Sequence, residues 1–191
     1  MRVQLVYASR HGGTAGIAER IAELLRRQGH DVVLSDAADR PSAVGYDAYV
    51  IGAGVHIGSW HKEATEFLAR NQATLAIKPV WLFSSGPLPG SSMMQDTEDR
   101  LTLALGPETG PGSGGRKRIE ALSAAIHPRD HRVFYGAYDP TDPPKSIGER
   151  LVRMMPAAKR VLPAGDFREW DAIDAWAEEI AGQLVEEATV A

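Results

Sequence analysis

Ser9-Arg10-His11-Gly12-Gly13-Thr14 stands between an apolar run, Val3 to Ala8, and a helical pattern that begins at once. Strand, small-residue loop and helix start in immediate succession make an anion site. The N–H groups of the loop and the unpaired N–H groups of the first helical turn point at one spot, where the helix dipole is also positive. Ser9 and Thr14 add hydroxyl donors, Gly12 and Gly13 let the backbone approach closely, and Arg10 and His11 sit within the same turn. The loop reads as the cradle of a terminal phosphate monoester; an ordinary β–α turn with a Ser/Thr cap is the other reading. A Walker loop needs a Lys before its Ser/Thr, and none is here. Gly12, Gly13 and Gly16 do not supply Gly-x-Gly-x-x-Gly, and no acidic residue follows the first strand to hold a metal.

Outward from this loop the chain alternates. Arg2 to Ala8 reads as a strand, and Thr14 to Gln28 as a helix with Ile17, Ile21, Leu24 and Leu25 on one face and Gly29 closing it. Asp31 to Leu34 is a short outer strand. Asp47 to Ala53 is a nearly continuous apolar strand of the kind buried on both faces. Lys62 to Leu75 is a helix with Ala64, Phe67, Leu68 and Leu75 inward. Pro79 to Ser84 and Arg132 to Ala137 are strands, and Arg116 to Ile126 is a helix. Lys145 to about Met155 is a short helix whose Ile147, Leu151, Met154 and Met155 read as its buried face, while Arg150, Arg153, Lys159 and Arg160 in and after it raise a membrane-surface reading. The last helix starts at Asp166 with Glu169 as a capping box and buries Ile173, Trp176, Ala177, Ile180 and Leu184.

Five short strands alternating with amphipathic helices predict an α/β three-layer sandwich: a five-stranded parallel sheet with helices on both faces. In the flavodoxin-like order 2-1-3-4-5 the switch point falls between strands 1 and 3, and the loops after strands 1, 3 and 4 converge there. The 191 residues make one domain, with a long insertion at about 87–115. Apolar content of 43% and charged content of 24% are those of a globular protein. A net charge of −4 gives no reason to expect nucleic acid. The absence of cysteine excludes disulfides, thiolate catalysis and cysteine-held iron–sulfur clusters, so redox chemistry has to come from a bound cofactor. Met1-Arg2 runs straight into a strand without the apolar segment of a secretory signal, and the expected location is cytoplasmic.

The three loops differ in chemistry. The first suits a phosphate. The second, Ala53-Gly54-Val55-His56-Ile57-Gly58 with Trp60, suits a flat ring that stacks and takes backbone hydrogen bonds. The third, Ser84-Ser85-Gly86, offers donors and a tight turn at the ring's other edge. A phosphate tail joined to a flat heteroaromatic ring describes flavin mononucleotide, FMN, and no metal site is expected. His56 and His61 are five apart with no carboxylate beside them, a poor metal pair. His127 and His131 are separated by Pro128 and read as solvated. Trp60 is either a flavin neighbour or the plug that seats the following helix. Trp81 reads as core, and Trp170 and Trp176 as packing of the last helix. No side chain is identified as catalytic; His56 and Tyr138 are weak acid–base candidates.

Strand-then-Ser-x-x-Gly-x-Thr, with Ile17-Ala-Glu-x-Ile-Ala22 after it, resembles the phosphate loop and first helix of the flavodoxin superfamily. Tyr46-Asp47 leading to Val50-Ile51-Gly52-Ala53, then Ile57-Gly58-x-Trp60-His61 and Phe67, is more specific, as is Gly136-Ala137-Tyr138 with Asp166-Phe-x-x-Trp170. Together these resemble the menaquinone-dependent protoporphyrinogen IX dehydrogenases. The resemblance implies an FMN-dependent oxidoreductase passing electrons from a small-molecule substrate, protoporphyrinogen-like, to a quinone or other redox partner, with weak association at the inner face of the membrane. The alternative is a flavodoxin-type electron carrier with no substrate of its own. A homo-oligomer stays open. Carrier flavodoxins surround the flavin with acids that lower its potential; here the second loop carries His56, His61 and Lys62 instead. The stretch Pro87 to Gly115, with Met93 and Met94, reads as a lid over a flat apolar substrate or as a surface loop.

Overall fold

The computed structural model describes residues 1–56, 59–86, 113–139, 141–143 and 164–190. The expected lid, most of the 87–115 insertion and the helix expected at Lys145 to Met155 lie outside these residues, as do Ile57 and Gly58. The elements in chain order are β1 (Arg2–Ala8), α1 (Gly13–Arg27), β2 (Asp31–Asp36), a 3-10 turn (Ala37–Asp39), β3 (Ala48–His56), β4 (Ser59–Trp60), α2 (Lys62–Arg70) and α3 (Gln72–Leu75). There follow β5 (Val80–Ser85), α4 (Ser113–Ile126), β6 (Asp130–Phe134), β7 (Ala137–Tyr138), β8 (Gly165–Asp166) and α5 (Trp170–Val190).

The main sheet runs β2-β1-β3-β5-β6, all parallel, with β4 added antiparallel to the end of β3. This is the expected 2-1-3-4-5 order. Its strands bury side chains on both faces. In β1, Val3 and Leu5 enter the layer under α1 and α5, while Val6 and Ala8 enter the layer under α2, α3 and α4. Ile17, Ile21 and Leu25 of α1 are fully buried, each stabilising by about 1.5–3 kcal/mol. Arg20 of α1 donates to the Asp174 carboxylate of α5 at 2.7 Å and fixes the two helices side by side.

Several element ends depart from the sequence reading, each for a local reason. β3 runs past Ala53 to His56 because β4 gives its end an antiparallel partner, Val55 opposite Trp60. The helix expected over Lys62 to Leu75 breaks at Asn71, whose side chain donates to the Phe67 carbonyl and competes with the helical ladder. The last strand of the sheet ends at Phe134, where its carbonyl accepts from Gly86 N–H; Ala137 and Tyr138 pair instead with Asp166 and Gly165. Asp166 therefore does not cap the last helix. Its carboxylate takes the Arg168 guanidinium, and α5 begins at Trp170.

Gly52 sits opposite Phe83 in the β3–β5 pairing, and a Cβ built on it would lie 1.9 Å from that ring. The Phe83 ring is fixed in turn by a tilted contact with Phe134 and an edge contact with Trp176, at 6.3 and 6.1 Å between centroids. Trp81 and Trp176 are buried core, as expected, and the Trp176 indole donates to Asp130 at 2.8 Å. Trp170 is 37% exposed, with the Arg168 guanidinium 4.4 Å above its ring.

Candidate functional site

The crevice lies where β1 stops and β3 continues. Ala8 pairs with Ala53, and beyond that pair β3 has only β4 and β5 beside it. Ligands of open α/β sheets bind at such a switch point, off the carboxyl ends of the strands. Gly12 caps α1 in the left-handed conformation, φ 80°, which glycine adopts without strain. Gly12 has no side chain with which to cap this helix end, and no acidic residue stands in the helix's first turn. The dipole and the first N–H groups of α1 give this end of the helix the chemistry of an anion site.

Around that helix end the six loop residues come together. Thr14 is buried at 4% exposure, Ser9, His11 and Gly13 are half-buried, and Arg10 and Gly12 are exposed. His11 Nδ1 lies 3.6 Å from Asp142. A Cβ on Gly13 would stand 3.3 Å from the Ala137 amide nitrogen, so β7 crosses close over the loop. Arg168 reaches the Gly13 carbonyl at 3.4 Å from the far end of the chain. Ala53, Gly54 and Val55 form the facing wall, and Ser85, Gly86 and Gly136 the third side, with a Gly136 Cβ falling 3.6 Å from Gly86 N. The His56 backbone pairs with Ser59.

Two residues expected to line the site turn inward. The Trp60 indole, 4% exposed, donates to Ser84 Oγ at 2.8 Å, and Ser84 Oγ lies 3.0 Å from His131 Nε2. Trp60 packs edge-on against the His131 ring at 5.7 Å. Trp60 is therefore the plug of the two readings, and the Ser84 hydroxyl is spent inside the layer under α2 and α4. His131 is half-buried, its ring held against Ser84 and Trp60, rather than solvated. Desolvation pushes its pKa down to about 4, with the Asp130 charge opposing. Neutral His131 accepts the Ser84 O–H while Ser84 accepts from Trp60, which satisfies all three groups. Replacing Trp60 with Phe strands Ser84's acceptor; urea unfolding should show a loss of about 1 kcal/mol.

His61, Ala137 and Arg168 were not among the residues expected at the cradle. His61 heads α2 with 9% exposure, and its N–H bonds the Gly54 carbonyl at 3.3 Å. Among the described residues no cluster of three His, Asp or Glu could hold a metal, and no helix is long and apolar enough to cross a membrane. A shallow cleft of about 300 Å³ lined by Lys78, Pro79, His127 and Arg129 lies at the opposite edge of the sheet, away from the switch point.

The flavodoxin domain family model matches residues 4–141. The chain belongs to the flavodoxin domain family. Solved flavodoxins share its architecture. A cysteine-to-serine mutant of flavodoxin from Pseudomonas aeruginosa is 15% identical over 95% of this chain and 97% of its own, with a TM-score of 0.54. A flavodoxin from the domain Archaea is 15% identical over 96% and 98%, TM-score 0.54, and oxidised flavodoxin 2 from Bacillus cereus 17% over 96% and 99%, TM-score 0.53. At these identities the likeness carries the fold. No curated protein matches the sequence. The family and the cradle agree on FMN: a glycine-capped helix end beside hydroxyls fits a phosphate monoester, and the crevice opens beside it.

Proposed function

We propose that this flavodoxin-domain protein is an FMN-dependent oxidoreductase that passes electrons between a small-molecule substrate and a quinone-type acceptor. The observation that carries the cofactor is the α1 N-terminus, capped by left-handed Gly12 at the β1/β3 switch point. Ser9, Thr14 and the N–H groups of residues 10–14 hold the phosphate; Gly54, Val55, Ser85 and Gly86 present backbone to the ring. The bound flavin supplies electron transfer, and the protein sets its orientation and potential. Two electrons and two protons leave the substrate and reach the quinone. The sequence resemblance supports a protoporphyrinogen-like substrate, and His61 and Lys62 after β3, in place of an acidic rim, favour the enzyme over a strongly reducing carrier.

The carrier is the second reading, favoured by the flavodoxin-domain match. The purified protein should show a flavin spectrum, and released cofactor should chromatograph as FMN; FAD or a nicotinamide would refute the site. The reduced protein is then mixed anaerobically with a soluble quinone and, separately, with a ferredoxin-type acceptor. Reoxidation by the quinone supports the enzyme, and by the one-electron partner alone, the carrier. Thr14→Val should weaken FMN binding by about 1–3 kcal/mol, the cost of a lost hydrogen bond to a charged group. Unchanged affinity would remove Thr14 from the phosphate.

A further inference from the structure

Arg168 is fixed before it reaches the phosphate loop. Its Nε and Nη2 donate to the two carboxylate oxygens of Asp166 at 2.8 and 2.6 Å, a bidentate fork. The guanidinium also lies 4.4 Å above the Trp170 ring. With two of its three nitrogens held, Nη1 is turned to α1, where it donates to the Gly13 carbonyl at 3.4 Å. Its route crosses Gly16, and a Cβ built there would collide with Nη1. Alanine is the better helix former, so what glycine supplies at this position is room for the guanidinium. The Gly13 carbonyl and the Thr14 N–H belong to one planar trans peptide and point in opposite directions. A cation donating to that carbonyl therefore orients and polarises an N–H that faces the loop end of the helix. The arm carrying Arg168 is itself tied down beside the loop. Phe167 N–H bonds the Gly136 carbonyl at 3.2 Å, and Asp166 pairs with Ala137, whose amide passes close to Gly13.

We propose that Arg168 is a positioning residue of the phosphate cradle, acting on the Thr14 amide through the Gly13 carbonyl, and that Gly16 is the gap through which it acts. The inference rests on the FMN reading above and adds to that site a residue from the other end of the chain. The effect travels through the peptide: Nε and Nη2 are held by Asp166, and Nη1 by the backbone of α1. An amide oriented before the ligand arrives is not ordered at the expense of binding. The selectivity that follows is for the phosphate end: Arg168 affects flavins that carry the monoester and not riboflavin, which lacks it.

The test is a double-mutant cycle on the full-length protein stripped of flavin, read by quenching of flavin fluorescence. Wild type, Arg168→Met, Gly16→Ala and the double variant are titrated with FMN and with riboflavin. Arg168→Met should weaken FMN about fivefold, the size of one lost hydrogen bond, and leave riboflavin within twofold. Gly16→Ala keeps the arginine, displaces its tip and favours the helix, so it folds even where Arg168→Met does not. Its loss of FMN affinity should match. In the Arg168→Met background Gly16→Ala should cost less than twofold, because both changes remove one contact. The Thr14 amide resonance of the flavin-free protein should move in both single variants. Equal losses for both flavins would make Arg168 merely structural, and a Gly16→Ala loss undiminished by Arg168→Met would cut the route over Gly16; either overturns the proposal. If wild type binds no flavin, the FMN reading itself fails. The positioning role is then judged on the Thr14 resonance alone, and a resonance that neither substitution moves rejects it.

Discussion

Gly52→Ala should destabilise the protein by about 3 kcal/mol or more, with the cofactor site untouched in sequence. The backbone at Gly52 is ordinary strand, so conformational strain plays no part. The obstacle is the Phe83 ring, 1.9 to 2.4 Å from the new methyl. Such a separation is far inside contact distance, and Phe83 cannot rotate away because Phe134 and Trp176 brace it from two sides. Overpacking in a close-packed interior spreads to backbone shifts between β3 and β5. Urea unfolding measures the loss. Gly52→Ala combined with Phe83→Leu should regain part of it, since a smaller side chain opposite leaves room. A Gly52→Ala protein as stable as wild type would mean that the two strands separate freely, contrary to their pairing over Tyr49–Gly54 and Val80–Ser85.

Acidification should act through His131. Its unfolded pKa is near 6.5 and its folded pKa about 4, so the folded state resists a proton that the unfolded chain accepts. Stability is full above about pH 6.5 and is lost as pH falls through the folded value, by about 3 kcal/mol at pH 4. Protonation also reverses the Ser84 bond: His131 Nε2 would then donate, and the Ser84 hydrogen loses its acceptor while Trp60 still donates to the same oxygen. His30, whose pKa burial and the chain's amino terminus lower, adds to the loss with the same sign. The measurement is unfolding free energy at pH 7 and pH 4 for wild type and His131→Gln. The variant should lose about 3 kcal/mol less between the two. Equal losses would place the titration elsewhere.

The phosphate loop was readable because it is contiguous: strand, glycines and helix start follow one another within Val3 to Thr14. Strand order was readable for a related reason, since buried parallel strands carry apolar runs and right-handed crossovers leave few arrangements. The misses are tertiary. His131 read as solvated because its partners, Ser84 and Trp60, lie 47 and 71 positions away and no local pattern pairs them. Its alternation with Arg132 along β6 was the one local hint that it faces inward. Ser84 read as a donor at the ring's edge and Trp60 as either a ring neighbour or a plug, and only the fold brings out that their polar atoms bond each other. Asp166 left its capping role because antiparallel pairing with Ala137 claimed its backbone.

Arg168 braces the phosphate loop from 155 positions downstream, and Arg20 of the first helix is held by Asp174 at a separation of 154. On the ribosome the loop emerges first and waits. At about 5–20 residues per second, the chain spends on the order of ten seconds or more with its anion site uncovered and the first helix lacking its partner. The finished geometry of the site therefore waits for the last helix. A nascent chain stalled before Gly165 should retain far less flavin than one released with α5 in place.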